Sequence, residues 1–365
     1  MSLRAGIVGL PNVGKSTLYN ALTHAGVAAA NYPFCTIDPN IGVIPVPDPR
    51  LDALARLVHP ERIIPATVEC VDIAGLVAGA SRGEGLGNQF LAHIRETDAI
   101  IEVVRCFESE TVIHVGGKVD PLSDIAVIET ELALADLATV ERALTRALSQ
   151  AKSGNRETQE RAALFERVRR RLDEGGWVRT LDLSESEQRE VLALQLLTHK
   201  PVLYLANVGE DRTRPQVQAW MEALENHTRS QGSRLVAIST QIENELAELS
   251  PDEQRTFLAE LGYDEPGLKR LIRAIYELLG LETFFTAGPK EVRAWTVPRG
   301  TPAPQAAGVI HSDFERGFIS AEVVAYEDFL SSGSESAARA AGKLRLEGRD
   351  YVVRDGDVVH FRFNV

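Results

Sequence analysis

The residues Gly9, Gly14, Lys15 and Ser16 follow the spacing Gly-x4-Gly-Lys-Ser near the start of the chain. In this pattern backbone N–H groups wrap phosphate oxygens at a helix N-terminus, while the lysine reaches the β/γ-phosphates and the serine reaches Mg²⁺. The sequence LRAGIV at residues 3–8 before it predicts a short buried strand, and the sequence LYNALTHA after it has helical spacing. A strand, loop and helix in this order predict a phosphate-binding loop. We expect the following loop residues to contact a nucleotide: Asn12, Val13, Gly14, Lys15, Ser16 and Thr17.

A second pattern on the phosphate side is DxxG at Asp72 and Gly75, directly after the alternating apolar run TVECV. In this class of site the aspartate holds Mg²⁺ through water and the glycine amide senses the γ-phosphate. Thr36 lies between the two patterns, in a Pro-containing loop, and its hydroxyl is a candidate third oxygen ligand; an ordinary turn threonine is the alternative. We therefore predict Ser16, Thr36 and Asp72 as metal ligands.

The residue that activates water is the least obvious part of this site. Leu76 follows the DxxG pattern, where Ras-type GTPases carry the glutamine that orients the attacking water, and leucine cannot form a hydrogen bond with water. His114, in the loop after the apolar run AIIEVVRC, is the favoured replacement because a neutral imidazole accepts a proton near physiological pH. A histidine with a purely structural role in that loop is the alternative. The predicted catalytic residues are His114, Lys15 and Gly75.

The base-binding end of the site follows the continuous apolar run KPVLYLANV, which is typical of a central parallel strand. A guanine site has Asn-Lys-x-Asp here, whereas this chain has Asn207-Val208-Gly209-Glu210. Gly209 has no stem to pack on the ring, and an amide such as Asn207, with the backbone of Val208, suits adenine better than guanine. ATP is therefore favoured over GTP, and a divergent guanine site is the alternative. Ser239, at the end of a further strand, is expected beside the base.

The chain resembles the YchF or Obg-like ATPase family through the segments GLPNVGKST, NYPFCTIDPNIG, DIAGLVAGASRGEGLGNQFL, VVRCF and NVGE. The resemblance implies a GTPase-like fold that prefers ATP, slow intrinsic hydrolysis with Leu76 in place of the glutamine, and association with ribosomes. It also implies the following residue roles: Mg²⁺ binding by Ser16 and Thr36, adenine contacts by Asn207 and Val208, proximity of Phe107 to the base, and a catalytic role for His114.

The expected architecture is α/β: a P-loop NTPase of the GTPase type with a mostly parallel sheet, an inserted helical arm and a C-terminal β-grasp domain that resembles a TGS domain. We predict the nucleotide-binding domain at 1–122 and 198–280, the arm at 123–197 and the C-terminal domain at 281–365. The apolar spacing of the arm predicts two antiparallel helices. Its arginines, concentrated at 161–171, either meet RNA phosphates or form ion pairs along the helix. The turn Asp355-Gly356 predicts a β-hairpin.

Composition restricts the functional class. The chain has 365 residues, 44% of them apolar, and a formal net charge of −13, which argues against broad electrostatic attraction to nucleic acid. Neither a secretory leader nor a long apolar run is apparent, and the three cysteines show no CxxC spacing, so we expect a cytoplasmic protein without a sulfur-bound metal. We predict an Mg²⁺-dependent switch of the translation machinery that binds ribosomes and hydrolyses ATP slowly, with no DNA or membrane partner; K⁺ is a candidate additional cation. An atypical GTPase, or a ribosome-binding nucleotide sensor with negligible turnover, is the alternative.

Overall fold

A computed structural model describes residues 3–27, 40–73, 86–152, 154–211 and 213–364. Thr36, Gly75 and Leu76, which the sequence singled out, lie outside these described residues. The strands are β1 (Arg4–Val8), β2 (Ile41–Pro45), β3 (Arg62–Ile64), β4 (Thr67–Asp72), β5 (Ala99–Cys106), β6 (Val202–Val208), β7 (Arg234–Ile238), β8 (Leu281–Ala287), β9 (Glu291–Pro298), β10 (Phe318–Ala325), β11 (Arg345–Glu347) and β12 (Asp357–Phe363). The helices are α1 (Lys15–Val27), α2 (Pro49–Val58), α3 (Leu86–Arg95), α4 (Pro121–Ala151), α5 (Arg156–Asp173), α6 (Glu185–Leu192), α7 (Pro215–Ser230), α8 (Thr240–Glu248), α9 (Pro251–Glu260), α10 (Gly267–Leu278), α11 (Ala303–Ile310), α12 (Ser312–Arg316), α13 (Tyr326–Ser332) and α14 (Glu335–Ala340).

The chain folds as two units that each combine two segments. Met1–Gly42 and Glu69–Leu271 form the first, and Val43–Val68 and Ile272–Val365 form the second. This division differs from the predicted domain boundaries, because the arm clusters with the nucleotide-binding sheet and residues 43–68 cluster with the C-terminal segment. Strand β3 gives the physical reason for the second difference, since it pairs in parallel with β9 of the C-terminal segment.

The first unit is built on a six-stranded sheet of order β2-β4-β1-β5-β6-β7. Strand β1 pairs in parallel with β4 and β5, and β6 pairs in parallel with β5 and β7, which agrees with the predicted α/β fold. Strands β5 and β6 are buried along their whole lengths, as their continuous apolar sequences require. Because parallel strands share one carboxyl edge, the loops after β1, β5, β6 and β7 meet there.

The arm consists of α4 and α5, and its predicted apolar stripes are buried. Asp120 caps the start of α4, with Pro121 in the first helical position, and Asn155 caps the start of α5. Buried Asp136 fixes α4 at the base of the arm, because its carboxylate accepts hydrogen bonds from the backbone N–H groups of Leu197 (2.9 Å) and Thr198 (2.7 Å). The residues of the two stripes that are buried are Ile125, Ile128, Leu132, Ala135, Leu164, Val168 and Leu172.

Several arginines of α5 form ion pairs within the unit. Arg161 lies 2.6 Å from Glu190, Arg167 lies 3.1 Å from Glu187, and Arg169 lies 2.7 Å from Glu166. These contacts favour the ion-pair interpretation of this charged face over the RNA interpretation.

The second unit contains a mixed six-stranded sheet of order β11-β10-β12-β8-β9-β3. The predicted hairpin at Asp355-Gly356 is wrong: Gly356 has a positive φ of 89°, but strand β12 after the turn pairs with β10 and β8. The turn docks on β8 instead, because the Asp355 carboxylate accepts from Thr283 N–H at 2.9 Å and Gly356 N–H donates to the Thr283 carbonyl at 2.8 Å. Asp355 also pairs with Arg50 at 2.6 Å, which joins residues 43–68 to this unit.

Within the described chain, none of the helices combines the length and apolar character that crossing a membrane requires.

Glu102, in the middle of β5, is the most unusual buried group of the first unit. Glu102 is 1% exposed, and neither of its carboxylate oxygens has a hydrogen-bond partner among the described residues. Burial raises the pKa of Glu102 well above its ordinary value; nearby Glu129 adds to the shift, and Arg179 opposes it.

We predict that Glu102→Gln changes how the free energy of unfolding depends on pH. A carboxyl whose pKa is higher in the folded than in the unfolded state binds its proton more tightly when the protein is folded. Its stabilising contribution is therefore present below the pKa of the unfolded state and is lost as the pH rises toward the pKa of the folded state. Between these two pKa values, the free energy of unfolding of the wild type should fall by about 1.4 kcal/mol per pH unit relative to that of the glutamine variant. Denaturant unfolding at a series of pH values measures this difference. Exposed Glu260, changed to glutamine, is the control, and parallel curves for wild type and Glu102→Gln would contradict the prediction.

Candidate functional site

The phosphate-binding loop joins β1 to α1 through a backbone that needs small residues. Gly14 has φ of 102°, a region that residues with a Cβ avoid. A Cβ added there would lie 2.3 Å from the Asn207 side-chain nitrogen, so the space is also closed. Asn12 has φ of 63°, which asparagine tolerates, and its amide donates to the Ile113 carbonyl at 3.1 Å.

Lys15 begins α1 with its ammonium group held inside the loop. Its Nζ donates to the carbonyls of Gly9 at 2.9 Å and Leu10 at 2.8 Å, and the residue is 8% exposed. Burial lowers the pKa of Lys15 to about 8, and the negative charge of Asp72 opposes that shift. Burial raises the pKa of Asp72, while the Lys15 charge lowers it. Lys15 of the loop and Asp72 at the end of β4 therefore influence each other electrostatically at the carboxyl edge of the sheet.

Asn207 links three parts of the first unit from the end of β6. It is 2% exposed; its Nδ2 donates to the Val13 carbonyl at 2.9 Å, and its Oδ1 accepts from the Thr240 backbone N–H at 3.2 Å. The amide thus ties the phosphate-binding loop to the start of α8. These two bonds leave one amide hydrogen and one lone pair of Oδ1 for a base.

An open cavity of about 890 Å³ lies at this carboxyl edge. The predicted residues that line it are Asn12, Gly14, Lys15, Ser16, Thr17, Phe107 and Asn207. Val13 and Val208 are instead buried, at 1% and 2% exposure, and the Ser239 hydroxyl accepts from Ile242 N–H as the cap of α8. Thr240, which with Ser239 was expected beside the base, lines the cavity, and the lining residues that sequence reasoning missed include three after β7: Gln241, Asn244 and Glu245. The signal that could have found them is their place after β7, since loops at this edge of the sheet meet the ligand.

Phe107 supplies an aromatic surface to the cavity, and Arg105 holds it in place. The Arg105 guanidinium lies 4.5 Å from the Phe107 ring centroid, and Arg105 Nε donates to the Phe107 carbonyl at 3.0 Å. On the other side, a Cβ added to Gly209 would lie 3.5 Å from the Phe107 Cβ. Phe107 and Gly209 therefore pack together, and both line the cavity, where the Phe107 ring offers a flat apolar surface.

His114 uses both ring nitrogens within the first unit. Its Nδ1 accepts from the Gly116 N–H at 3.0 Å, and its Nε2 lies 2.9 Å from an Asp124 carboxylate oxygen. Since an N–H donor faces Nδ1 and a carboxylate faces Nε2, the proton belongs on Nε2. The side chain of His114 is 7% exposed, so the structure places it in a packed loop and not on the cavity wall.

Ser16 and Asp72 are the two predicted metal ligands that the structure describes. Ser16 is exposed and lines the cavity, and Asp72 ends β4 half-buried, with no hydrogen bond to its carboxylate from the described residues. A hydroxyl and a free carboxylate are hard oxygen donors of the kind that Mg²⁺ prefers, so these residues fit the expected ion.

We predict that Asn207→Ala weakens ATP and GTP binding by the same factor. The substitution leaves the Val13 carbonyl and the Thr240 N–H without their partner, which should also lower stability by about 1–3 kcal/mol. Thermal unfolding and paired titrations with the two nucleotides measure both effects. A loss confined to ATP would contradict this expectation and would assign Asn207 to direct adenine recognition.

Comparison with known proteins gives consistent matches over the whole chain. A family model described as a 50S ribosome-binding GTPase matches residues 4–130, and the C-terminal YchF-GTPase model, described as a protein of unknown function, matches residues 281–364. The proteins called ribosome-binding ATPase YchF from Haemophilus influenzae, Escherichia coli O157:H7 and Bacillus subtilis are 57%, 55% and 52% identical, each over 100% of both chains.

A solved structure agrees with the sequence matches. The structure of the Schizosaccharomyces pombe YchF GTPase has a TM-score of 0.88 and 39% identity, and the match covers 99% of this chain and 98% of that chain. Identities above half along complete chains, together with this structural similarity, agree with the resemblance that the sequence motifs indicated. The chain belongs to the YchF family.

Proposed function

We propose that this protein is an ATPase that binds the ribosome and changes state with the nucleotide it holds. The observation that carries the proposal is the single cavity shared by Lys15 and Ser16 at one end and by Phe107 and Gly209 at the other. Phosphates fit the first group and a purine ring fits the second. Curated relatives at 52–57% identity are called ribosome-binding ATPases, which supports both the reaction and the partner. The ribosome named as their partner also supports the expected cytoplasmic location.

The phosphate end supplies charge and orientation. Lys15 Nζ, now bonded to two loop carbonyls, is placed to exchange these bonds for phosphate oxygens, which carry more negative charge. Ser16 and Asp72, with Thr36 outside the described residues, would hold Mg²⁺, which stabilises negative charge on the phosphates when bound. Gly75, also outside the described residues, is proposed to sense the γ-phosphate through its backbone N–H. K⁺ remains a candidate additional cation.

His114 is proposed to accept the proton of the attacking water. Asp124 keeps the proton on Nε2, so Nδ1 is the basic atom, and in this structure Nδ1 accepts from Gly116 N–H. Gly117, with φ of 76°, gives the adjoining turn a conformation that glycine favours. A shift of this turn that replaces the Gly116 N–H by water would expose the basic nitrogen without breaking the bond to Asp124. Hydrolysis is then slow because the turn must move first.

The first test compares nucleotides and partners. We predict that the wild type binds ATP at least tenfold more tightly than GTP in the presence of Mg²⁺, because no lysine stem and no guanine-reading aspartate are present. Phosphate release from ATP should be slow for the isolated protein and should change when purified ribosomes are added. Equal affinities for the two nucleotides would support the GTPase alternative. ATP binding with no phosphate release under either condition would support the nucleotide-sensor alternative.

The second test concerns His114. We predict that His114→Ala lowers kcat for ATP by about 10²-fold or more, as expected for loss of a general base. Asp124→Asn should lower kcat by a comparable factor, because an amide can turn its N–H₂ group toward Nε2 and force the wrong tautomer. ATP affinity should stay near the wild-type value in both variants, which equilibrium titration checks. If His114→Ala keeps the wild-type kcat, His114 does not act as the base. If only Asp124→Asn keeps the wild-type kcat, Asp124 does not orient His114 for the reaction.

A further inference from the structure

The carboxylate of Glu210 has a side-chain partner that the sequence pattern does not indicate. Its Oε1 accepts a hydrogen bond from the Gln241 Nε2 at 2.6 Å. Gln241 is the second residue of α8, which starts directly after β7, and both side chains line the nucleotide cavity. The contact joins the loop after β6 to the loop after β7, at the base end of the cavity.

The atom assignment in this contact follows from chemistry. An ionised carboxylate only accepts hydrogen bonds, so the amide atom that faces Glu210 must be the nitrogen. The carboxylate of Glu245 lies on the same side, at 3.5 Å from Gln241 Nε2, and attracts the same atom. No described donor bonds to Gln241 Oε1, so the amide oxygen is the group that remains for a ligand.

This arrangement distinguishes the two purines. Guanine offers N1–H and a 2-amino group, and both donate to a carboxylate that presents two free oxygens. Because one oxygen of Glu210 already accepts from Gln241, guanine must share that oxygen with the amide or displace the amide, and either arrangement weakens its binding. Adenine makes no such demand on Glu210. Its 6-amino group is a donor that matches the amide oxygen of Gln241, whereas guanine carries an acceptor, O6, at that position and meets an unfavourable pair.

We infer that Gln241 is a specificity-determining residue of the nucleotide site, which withdraws the Glu210 carboxylate from guanine and presents its own amide oxygen to the 6-amino group of adenine. The inference rests on the proposed function, since it requires a purine nucleotide in this cavity. Glu210 acts through Gln241: it sets the direction of the amide and does not read the base itself.

The test uses Gln241→Met, which keeps the length of the side chain and removes the amide. We expect weaker ATP binding and tighter GTP binding. The Kd for GTP divided by the Kd for ATP should therefore fall roughly five- to tenfold, which is the effect of one or two exposed hydrogen bonds. In the double variant Gln241→Met with Glu210→Gln, the gain in GTP affinity should disappear, because the released carboxylate is gone. Titrations of the full-length wild type and both variants with Mg²⁺ and non-hydrolysable analogues of ATP and GTP measure the six dissociation constants.

Glu248→Gln is the matched control. Glu248 also lines the cavity, and the described hydrogen bonds of Gln241 go to Glu210 and Glu245, so Glu248→Gln removes one negative charge without touching the pair. A wild type that binds both nucleotides equally would overturn the proposed ATP preference. A wild type that prefers ATP while Gln241→Met keeps the wild-type ratio would overturn this inference alone. The same fall in the ratio of dissociation constants for Glu248→Gln would also overturn this inference, because the effect would then come from the total negative charge around the cavity.

Discussion

The side-chain amide of Asn207 is the interaction on which the site depends. It holds the phosphate-binding loop through the Val13 carbonyl and the start of α8 through the Thr240 N–H. The amide lies so close to Gly14 that no side chain fits between them. Three loops that start from different strands are thereby kept at fixed separations, and the distance between phosphate and base subsites follows from that. A buried amide with both ends bonded suits this role, because leaving either partner unpaired is costly.

Polar contacts accompany the apolar packing at the base of the arm. Asp136 accepts two backbone N–H groups, and Glu129 on α4 accepts from Tyr204 of β6 at 2.8 Å, with His227 Nε2 3.2 Å from the same oxygen. Such contacts add little net stability, since each group loses water on burial. They do fix which residues of α4 face the sheet, because a shift along the helix would leave a carboxylate buried without a donor.

Much of the first unit could be predicted from the sequence, because its signals are local. The loop around Gly14 has a fixed spacing, the strands β5 and β6 are continuous apolar runs, and the arm has helical periodicity. The errors concern contacts between residues far apart in sequence. The turn at Asp355 looked like a hairpin because the local residues fit one, but Thr283, about 70 residues earlier, supplies its partner groups. Likewise, no local feature of residues 43–68 reveals that β3 joins a strand near residue 291.

The candidate site shows the same contrast. Asn12, Lys15, Ser16, Phe107 and Asn207 were predicted and line one cavity. Gln241 was missed because a glutamine near a helix start carries no chemical signal until its neighbour across the cavity is known. The catalytic role of His114 stays a prediction, and the groups that bond to its two ring nitrogens could not be predicted from spacing, since Asp124 lies beyond a loop and in the next helix.

The composition of the second unit from two distant segments has a consequence for how the chain folds. Arg62 of β3 pairs with Glu291 of β9, so roughly 230 residues must be looped out before this edge of the sheet closes. During synthesis, residues 43–68 leave the ribosome early, and β3 stays without its partner strand until the C-terminal segment has been synthesised. Contacts of such long range slow folding and leave strand edges open to wrong pairing. The first unit, whose own sheet is complete by residue 238, can form while the second is still an unfinished sheet.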